Sequence, residues 1–377
     1  MLNLGLFLMP ATLPGRSVAD ALDWNLDVIR QADRVGYDEA WIGQHFTTPW
    51  EPIVAPQQLI ARALGDTSRI MLGTGVEVLY TSHPVRLALE LAQLDHMARG
   101  RLYFGFGAGG TPTDFQLYGV DPRADEHQAM AGEALAIILD CWKPGGPDDF
   151  NGRFWKVKRP AYNDRYNWHV SPYAPAEERI AFAGFMPNSG SMRIAGERGY
   201  IPLTFHVAPE HVRVHWDAIA EGAAKSGRTP DRTRWRHARD VYVAPTAAEA
   251  RRGALEGCMA AFWDRHFRLI AEKLGIIDLF RRPDARQDIP ASAEHLVDSG
   301  AWFVGTPDQV VEQIVEQYQI TGGFGTLLQI GYDYSEAERR AGWMQSMELL
   351  ATEVMPRVRA RLQTATAVPH PPAPARA

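Results

Sequence analysis

The segment from residue 70 to residue 110 constrains the fold more than any other part of the chain. It reads IMLGTGVEVLYTSHPVRLALELAQLDHMARGRLYFGFGAGG, and it holds two apolar, strand-like runs that each end in glycines. A helix with one apolar side joins the two runs. A strand, a helix and a second strand, with glycine-rich loops at the carboxyl ends of the strands, form the repeating unit of a parallel β/α barrel. The loops at those ends line the active-site face of that fold.

The same alternation continues along the chain. Eight strand candidates, each followed by a helix candidate, lie at residues 4–9, 37–43, 70–79, 102–107, 180–184, 201–206, 238–244 and 326–330. Ser17 and Thr306 are predicted helix N-caps, Gly36 is predicted to end the first helix, and a helix is expected at 247–256 after the seventh strand. We therefore predict an α/β fold, a (β/α)8 TIM barrel with insertions in the strand-to-helix loops, as a single domain over residues 1–363. A doubly wound open sheet is the alternative, because local patterning does not reveal closure. Residues 364–377, TATAVPHPPAPARA, have a composition typical of disorder.

Composition excludes several classes of partner. The net charge is −6, which argues against nucleic acid or an anionic membrane as the main partner. No apolar run reaches the roughly 18 residues of a membrane span. The two cysteines, Cys141 and Cys258, form neither a disulfide framework nor a metal-binding pair, so we expect a cytoplasmic protein. The histidines are scattered without metal-ligand spacing, and no metal site is predicted.

Side chains just past the strand ends are the candidates for chemistry. His45 follows the second strand, YDEAWIG, where an imidazole can exchange a proton near neutral pH. A histidine that merely hydrogen-bonds at a strand end is the alternative. We expect apolar and aromatic residues of the loops, with one further histidine, to form the substrate pocket: Met9, Phe46, Trp50, Phe205, His206 and Trp263.

Two glycine-containing loops point to a flat, phosphorylated ligand. The run PNSGS at residues 187–191 lies between the fifth strand and a helix, where free backbone N–H groups and the helix dipole favour a phosphate. An ordinary N-cap turn is the alternative. Residues 105–110 match GxGxxG, but Thr-Pro-Thr follows before any helix, so we reject a dinucleotide site. Glycines here let a flat ligand approach the backbone closely.

Seven segments in order resemble the bacterial luciferase-like flavin monooxygenases: YDEAWIGQH, LGTGVEVLYTSHPVR, LDHMARGRLYFGFGAGG, FQLYGVD, SMRIAGERG, VYVAPTAAEA and VGTPDQVVEQI. The resemblance covers nearly the whole chain. The PGRS opening and these spacings are similar to the branch that contains limonene and diketocamphane monooxygenases.

This resemblance implies roles for individual residues. His45 would act as the base near the flavin, and the Gly75–Val76 bond would be a cis peptide beside the isoalloxazine. Gly107 stands where luciferase has a reactive cysteine, and Ala108 where it has a phosphate-contacting arginine, which leaves Arg123 or His127 as the cation. The implied cofactor-binding residues are Gly75, Val76, Glu77, Gly107, Ala108, Asn188, Ser189, Gly190 and Ser191.

The resemblance also implies an activity. A separate NAD(P)H:flavin reductase would supply reduced FMN as a co-substrate, and a flavin hydroperoxide formed with O2 would attack a small hydrophobic substrate. Baeyer–Villiger insertion, epoxidation and hydroxylation all remain open. The insertion from about Trp263 corresponds to the mobile active-site loop of the family, and a homodimer is expected. The apolar face of the helix at 84–97 is a candidate interface, although burial in the core explains that face better. Two alternatives are a deazaflavin-dependent hydride-transfer oxidoreductase of the same fold and a non-catalytic flavin-binding barrel.

Overall fold

Eight parallel strands close into a barrel in the computed structural model, which describes residues 1–160, 170–184, 186–205 and 207–366. The strands pair in the order in which they occur along the chain, and the last pairs with the first, so the predicted (β/α)8 barrel is confirmed and the open sheet is excluded. The barrel strands are β1 Asn3–Ala11, β2 Glu39–Ile42, β3 Met71–Thr74, β4 Leu102–Gly107, β5 Ile180–Gly184, β6 Ile201–Thr204, β7 Arg236–Arg239 and β8 Thr326–Tyr332.

A helix layer surrounds the barrel, and local signals set where its helices begin and end. The Ser17 hydroxyl caps the first helix and Gly36, at φ 103°, ends it, both as predicted. Thr306 and Gln309 form a capping box at the start of the seventh. The barrel helices are α1 Val18–Val35, α2 Pro56–Leu64, α3 Pro84–Ala98, α4 Glu126–Cys141, α5 Gly190–Arg198, α6 Pro209–Lys225, α7 Pro307–Thr321 and α8 Ala337–Leu349.

Shorter elements fill the connections. Within the described ranges, no helix has both the length and the apolar character that crossing a membrane requires. The additional helical segments are Pro112–Tyr118, Pro122–Ala124, Glu177–Arg179, Arg232–Arg234, Ala247–Leu255, Cys258–Phe262, Trp263–Phe267, Arg268–Lys273, Ile277–Phe280, Ala293–Asp298, Leu350–Val354 and Met355–Thr366. The additional strands are Glu77–Val78, Phe150–Asn151, Lys156–Val157, Val241–Val243 and Phe303–Gly305.

A buried ion pair crosses the amino-terminal end of the barrel. Arg236 of β7 donates two hydrogen bonds, of 3.1 and 3.0 Å, to the carboxylate of Glu39 on β2. The Trp41 indole donates to the same carboxylate at 3.0 Å and stacks on Tyr103 with ring centroids 5.0 Å apart. Glu39 and Arg236 are 2% and 7% exposed, so each charge depends on the other for compensation. This layer closes the end of the barrel opposite the candidate site.

The seventh strand differs from its prediction. It was expected over residues 238–244, but β7 spans Arg236–Arg239. The arginine and histidine side chains of β7 are buried, so this segment lacks the apolar pattern by which a buried strand is recognised in a sequence. The following residues, Val241–Val243, leave the barrel and pair in parallel with Phe303–Gly305, a strand that was not predicted. We call the segment between these two short strands, residues 244–302, the insertion. Its helices from Trp263 onward lie where the sequence suggested an insertion without clear periodicity, whereas Ala247–Leu255 was expected as the helix that follows the seventh strand.

Two other boundaries were also drawn differently from the sequence. The third strand was expected to run without a break over residues 70–79, but it divides into β3 and Glu77–Val78, with a cis peptide bond between Gly75 and Val76. The final helix, Met355–Thr366, extends three residues into the segment expected to be disordered. The rest of that segment, residues 367–377, lies outside the described residues.

Candidate active site

His45 lies in the loop between β2 and α2, and three loops meet around its ring. Its Nδ1 is 3.2 Å from the hydroxyl of Thr111, in the loop after β4, and 3.8 Å from the Asp114 carboxylate. Its Nε2 is 3.4 Å from Glu51 Oε1. The side chain keeps 28% of its surface exposed, so the ring is held on both nitrogens and remains accessible. A proton-exchanging group needs this combination.

Two carboxylates set the protonation of His45. Burial opposes the charged imidazolium, but the negative charge of Glu51, followed by the hydrogen bond and charge of Asp114, outweighs that effect and raises the pKa of His45. Asp114 is itself 4% exposed. Burial alone would raise the pKa of Asp114, yet hydrogen bonds from His45 and from the Thr47 hydroxyl, 2.5 Å away, lower it. His45 and Asp114 therefore each favour the charged form more strongly than they would in water.

The Glu51 carboxylate also contacts the insertion. Its second oxygen, Oε2, is 3.7 Å from Nε2 of His266. The His266 ring stacks on Trp50 with centroids 5.6 Å apart and an interplanar angle of 17°. Glu51 is 5% exposed. Sequence reasoning missed Glu51, Asp114 and His266, because their proximity to His45 arises only when three separate loops converge.

Glycines allow close packing at the barrel mouth beside this cluster. The Gly75–Val76 peptide bond is cis, as the resemblance implied. A Cβ at Gly75 would lie 2.9 Å from Trp41 Cβ, and one at Gly107 would lie 2.6 Å from Val76 Cγ2. A Cβ at Gly105 would overlap the Thr74 carbonyl oxygen. A side chain at any of these three positions would clash with neighbouring protein atoms, so the close packing at this end of β3 and β4 requires glycine.

The amino terminus of α5 is the candidate phosphate site. The Ser189 hydroxyl accepts a hydrogen bond from the Met192 amide at 3.4 Å, so the N-cap alternative is confirmed for this residue. The amides of Gly190 and Ser191 have no acceptor among the described residues, and a Cβ at Gly190 would meet nothing within 4 Å. Two such N–H groups at a helix amino terminus suit a phosphate.

One cation contacts this loop. Arg193, whose direction the sequence left open, folds back so that Nη1 donates to the Asn188 carbonyl at 3.0 Å. Its Nε also pairs with Glu221 at 2.7 Å. Of the two expected cations, Arg123 is exposed, and His127 packs on Phe115 with centroids 4.9 Å apart. Burial lowers the pKa of His127, which makes it a poor permanent charge. Ala108 is half-buried in the loop after β4.

The expected substrate-pocket residues fall into separate groups. Met9 and Trp50 are 8% and 6% exposed. Trp50 stacks on His266, and His266 and His45 both face the Glu51 carboxylate. Phe205 packs edge-on against Phe7 with centroids 4.8 Å apart. Phe46 instead packs on Tyr118, 5.1 Å away between centroids. His206 lies outside the described residues.

Trp263 corrects one expectation for the pocket. It is 1% exposed, its indole N–H donates to the Ala291 carbonyl at 2.6 Å, and its ring packs against Phe280 and Trp302. All of these partners belong to the insertion. A ring enclosed in this way stabilises the insertion and offers no surface to a substrate.

Glu77 points away from the glycine-lined mouth. Its backbone pairs with β4, but its carboxyl lines a groove of about 410 Å³ between α2 and α3. It is 2% exposed. Burial, with the charge of Glu90, raises the pKa of Glu77 to about 8, although the amides of Gln57 and Gln44 contact the carboxyl. The prediction that its side chain contacts a cofactor therefore finds no support in its position.

The described ranges contain no set of metal ligands. No group of three or more His, Cys, Asp and Glu residues is placed there to hold an ion. The cluster around His45 consequently offers proton exchange and hydrogen bonding. Together with the cis Gly75–Val76 peptide bond and the free amides of α5, it forms a candidate site for a phosphorylated, flat cofactor.

Comparison with known proteins places the chain in a family. The family model described as luciferase-like monooxygenase matches residues 2–323. The 3,6-diketocamphane 1,6-monooxygenase of Pseudomonas putida is 32% identical over 372 residues, which cover 94% of this chain and 97% of the relative. The limonene 1,2-monooxygenase of Rhodococcus erythropolis is 28% identical over 94% of this chain and 86% of the relative.

A solved structure agrees with the sequence comparison. The oxygenating constituent of 3,6-diketocamphane monooxygenase from Pseudomonas putida, a type II Baeyer–Villiger monooxygenase in complex with FMN, superposes with a TM-score of 0.88 at 33% identity. The match covers 94% of this chain and 98% of that one. The chain therefore belongs to the luciferase-like monooxygenase family, and its similar relatives include diketocamphane and limonene monooxygenases.

Proposed function

We propose that this chain is the oxygenating component of a two-component, FMN-dependent monooxygenase. One observation carries the proposal: an accessible histidine, held on both ring nitrogens, lies at the same end of the barrel as the cis Gly75–Val76 peptide bond. Its relatives are named monooxygenases, and the solved relative is a complex with FMN. Reduced FMN, when bound, supplies the activation of O2.

The residues of the chain bind and orient the cofactor. The backbone at Gly75, Val76, Gly107 and Ala108 would face the ring, and the Asn188–Ser191 loop would hold the phosphate. The free amides of Gly190 and Ser191 support this assignment. Arg193 is the cation nearest that loop by its contact with Asn188. Because Ala108 stands where luciferase has an arginine, the helix-terminal amides and Arg193 would compensate the negative charge of the phosphate.

His45 holds or moves a proton beside the reacting atoms. Asp114 and Glu51 favour its imidazolium form, so the ring carries a proton at neutral pH more often than an isolated imidazole. A donor aimed at a developing negative charge lowers the barrier to oxygen transfer. The accessible fraction of the ring is the surface through which this exchange takes place.

The substrate is a small hydrophobic molecule, and we favour a ketone or alkene of terpene size. The aromatic residues nearest His45, among them Trp50, give an apolar wall. The names of the relatives support this class: diketocamphane monooxygenases and limonene 1,2-monooxygenase. A ketone would undergo Baeyer–Villiger insertion, whereas an alkene would undergo epoxidation and an unactivated carbon hydroxylation.

A separate NAD(P)H:flavin reductase would supply the reduced FMN, because the GxGxxG match at 105–110 lies in β4 and its loop and not in a dinucleotide-binding unit.

A homodimer would form at the groove between α2 and α3, where Val54, Met97 and Tyr118 are exposed. Both cysteines are buried and unpaired, which suits a reducing cytoplasm. Residues 1–363 would form one domain.

Anaerobic titration with reduced FMN, followed by mixing with oxygenated buffer and a terpene ketone, tests the proposal. We expect saturable binding, a slower return of oxidised-flavin absorbance than for free reduced FMN, and one oxygen atom from O2 in the product. Ser191→Ala should weaken FMN binding, which checks the phosphate site. Failure of the wild-type chain to bind reduced FMN would contradict the proposal.

The same experiment separates two alternative functions. Binding of a deazaflavin, with substrate turnover that proceeds equally well under nitrogen, would assign the chain to oxygen-independent hydride transfer. Binding of FMN without any turnover across ketones, alkenes and aromatic substrates would indicate a non-catalytic flavin-binding barrel.

A further inference from the structure

Two buried oxygen atoms in the groove between α2 and α3 lack hydrogen-bond partners. They are Oε1 of Glu77, on the short strand after β3, and Oε1 of Gln57, on α2; neither has a donor in hydrogen-bonding geometry among the described residues. Glu77 is 2% exposed, and both residues line the groove of about 410 Å³. Buried acceptors in native proteins are nearly always paired. These two therefore point to a donor that the single chain does not supply.

The charges around Glu77 leave its carboxyl without a compensating cation. Burial, with the negative charge of Glu90 on α3, raises the pKa of Glu77 to about 8, and the neighbouring glutamine amides are neutral. Among the described residues, Arg86 is the one cation that lines the groove, and its Nε pairs with Glu90 at 2.7 Å. The other titratable group in the lining is the phenol of Tyr118. The groove thus contains an unpaired acid.

Arg86 lies at the rim of the same groove and has unused donors. It belongs to the first turn of α3, and its side chain is 76% exposed. Its Nε donates to Glu90, whereas its two Nη nitrogens have no hydrogen-bond partner within the described part of the chain. A guanidinium presents five N–H donors in a planar fork, so it can serve further acceptors while it keeps the first. Within one copy, however, Oε1 of Glu77 stays unpartnered.

We propose that the groove receives Arg86 of a second copy of the chain, which donates to Oε1 of Glu77 and pairs its charge. An isologous interface brings the same patch of two copies together, so each copy offers its rim donor to the buried acceptor of the other. The exposed side chains of Val54, Met97 and Tyr118 would pack around this pair and exclude water. The inference rests on the homodimer proposed above and names the contact that selects its surface.

Pairing with a cation reverses the effect of burial on Glu77. In the single chain the carboxyl keeps its proton up to pH of about 8. In the dimer the guanidinium lowers the pKa of Glu77, so association releases up to two protons per dimer and strengthens as pH rises towards 8. An apolar cover alone would have the opposite effect, because it would enclose an ionised Glu77 without a partner. Below the concentration at which copies associate, Glu77 titrates as in the single chain.

Sedimentation velocity of the full chain without flavin, over a range of concentrations at pH 6, 7 and 8, tests the pairing. The wild-type dimer should have a dissociation constant that falls about tenfold or more between pH 6 and pH 8. Arg86→Gln and Glu77→Gln should each raise this constant at pH 8 by about tenfold or more and remove most of its pH dependence. The double variant should be no weaker than the weaker single variant, because both changes remove one contact.

Arg62→Gln is the matched control. Arg62 is an exposed arginine of α2 that pairs with Asp66 of its own copy and does not line the groove, so this variant should associate as the wild type does. Should Glu77→Gln fail to fold, the exposed position of Arg86 keeps the test available.

The results that would overturn the proposal also separate it from the homodimer. A wild type that stays monomeric at every concentration and pH would contradict both. A dimer that Arg86→Gln leaves intact, or one whose dissociation constant rises from pH 6 to pH 8, would contradict the pairing and leave the homodimer in place. These measurements need neither flavin nor substrate, so their outcome does not depend on the monooxygenase assignment.

Discussion

Asp114 and Glu77 are two carboxyls at the same end of the barrel, 4% and 2% exposed, yet their pKa values move in opposite directions. The pKa of Asp114 is lowered and that of Glu77 is raised to about 8. Asp114 faces the imidazole of His45 and the hydroxyl of Thr47, whereas Glu77 faces the amides of Gln44 and Gln57, with the charge of Glu90 nearby.

The difference shows that the partners of a buried acid decide whether the effect of burial is offset. A cation that can form beside Asp114 compensates its charge, so both groups favour their ionised forms. Neutral amides stabilise the Glu77 carboxylate too weakly to offset burial, so this group keeps its proton at neutral pH. The first arrangement suits proton exchange.

Glu77→Gln should change stability most. The native chain holds the Glu77 proton up to pH of about 8, whereas an unfolded glutamate releases it near its ordinary value of 4.5. Stability therefore falls as pH rises between these values, by about 1.4 kcal/mol per pH unit, or about 4 kcal/mol from pH 5 to pH 8. Glu77→Gln lacks this dependence on pH. Its free energy of unfolding relative to the wild type should therefore rise by about 4 kcal/mol between pH 5 and pH 8.

Urea unfolding of Glu77→Gln and wild type at pH 5, 6.5 and 8 measures this effect. Glu294→Gln, whose side chain is 67% exposed, should keep the wild-type dependence on pH. A constant difference between Glu77→Gln and wild type across the range would mean that Glu77 is ionised in the native chain.

His45→Ala should have the next largest effect, on catalysis. Loss of a positioned proton donor lowers the product-forming rate by about 100-fold or more, while the fold and FMN binding remain. Reduced FMN would then be consumed by oxygen without product. Product per flavin oxidised is the measurement, and His96→Ala, at an exposed histidine of α3, is the control. Wild-type coupling in His45→Ala would refute the role of this residue.

Asp114→Asn should have a smaller effect, on the pKa of His45. Removing the charge of Asp114 should lower the pKa of His45, which NMR of the imidazole detects. A raised native pKa stabilises the fold fully below the unfolded value near 6.5, and this contribution is lost as pH rises through the higher native pKa, so the variant should lose stability mainly at acidic pH. Asp121→Asn, at the N-cap of a short helix where asparagine also caps, should leave the pKa of His45 unchanged.

Local signals predicted most of the fold. Ser17, Gly36 and Thr306 mark helix ends through contacts within a few residues, and β4 and β5 have the predicted boundaries. The seventh strand was misplaced because Arg236 is neutralised by Glu39, on the other side of the barrel. No local pattern contains that partner.

The candidate site was predictable only in part. His45 and the loops at 75–77, 107–108 and 188–191 follow from their places after strands and from family resemblance. Glu51 and His266 did not emerge, because the contact between them depends on how the insertion packs onto the barrel. The direction of Glu77 was missed for a related reason: after Gly75–Val76 the side chain points to α2 and α3, which a strand read as continuous does not predict.

The short ladder between Val241–Val243 and Phe303–Gly305 has an evolutionary consequence. Val243 lies opposite Gly305, so the chain leaves the barrel and returns to it at neighbouring points. A segment anchored in this way can change in length or be replaced without moving the strands on either side, since closing a longer loop costs little. Relatives can therefore exchange this segment as a unit, and each exchange would bring a different group to the position of His266 over a barrel that stays constant.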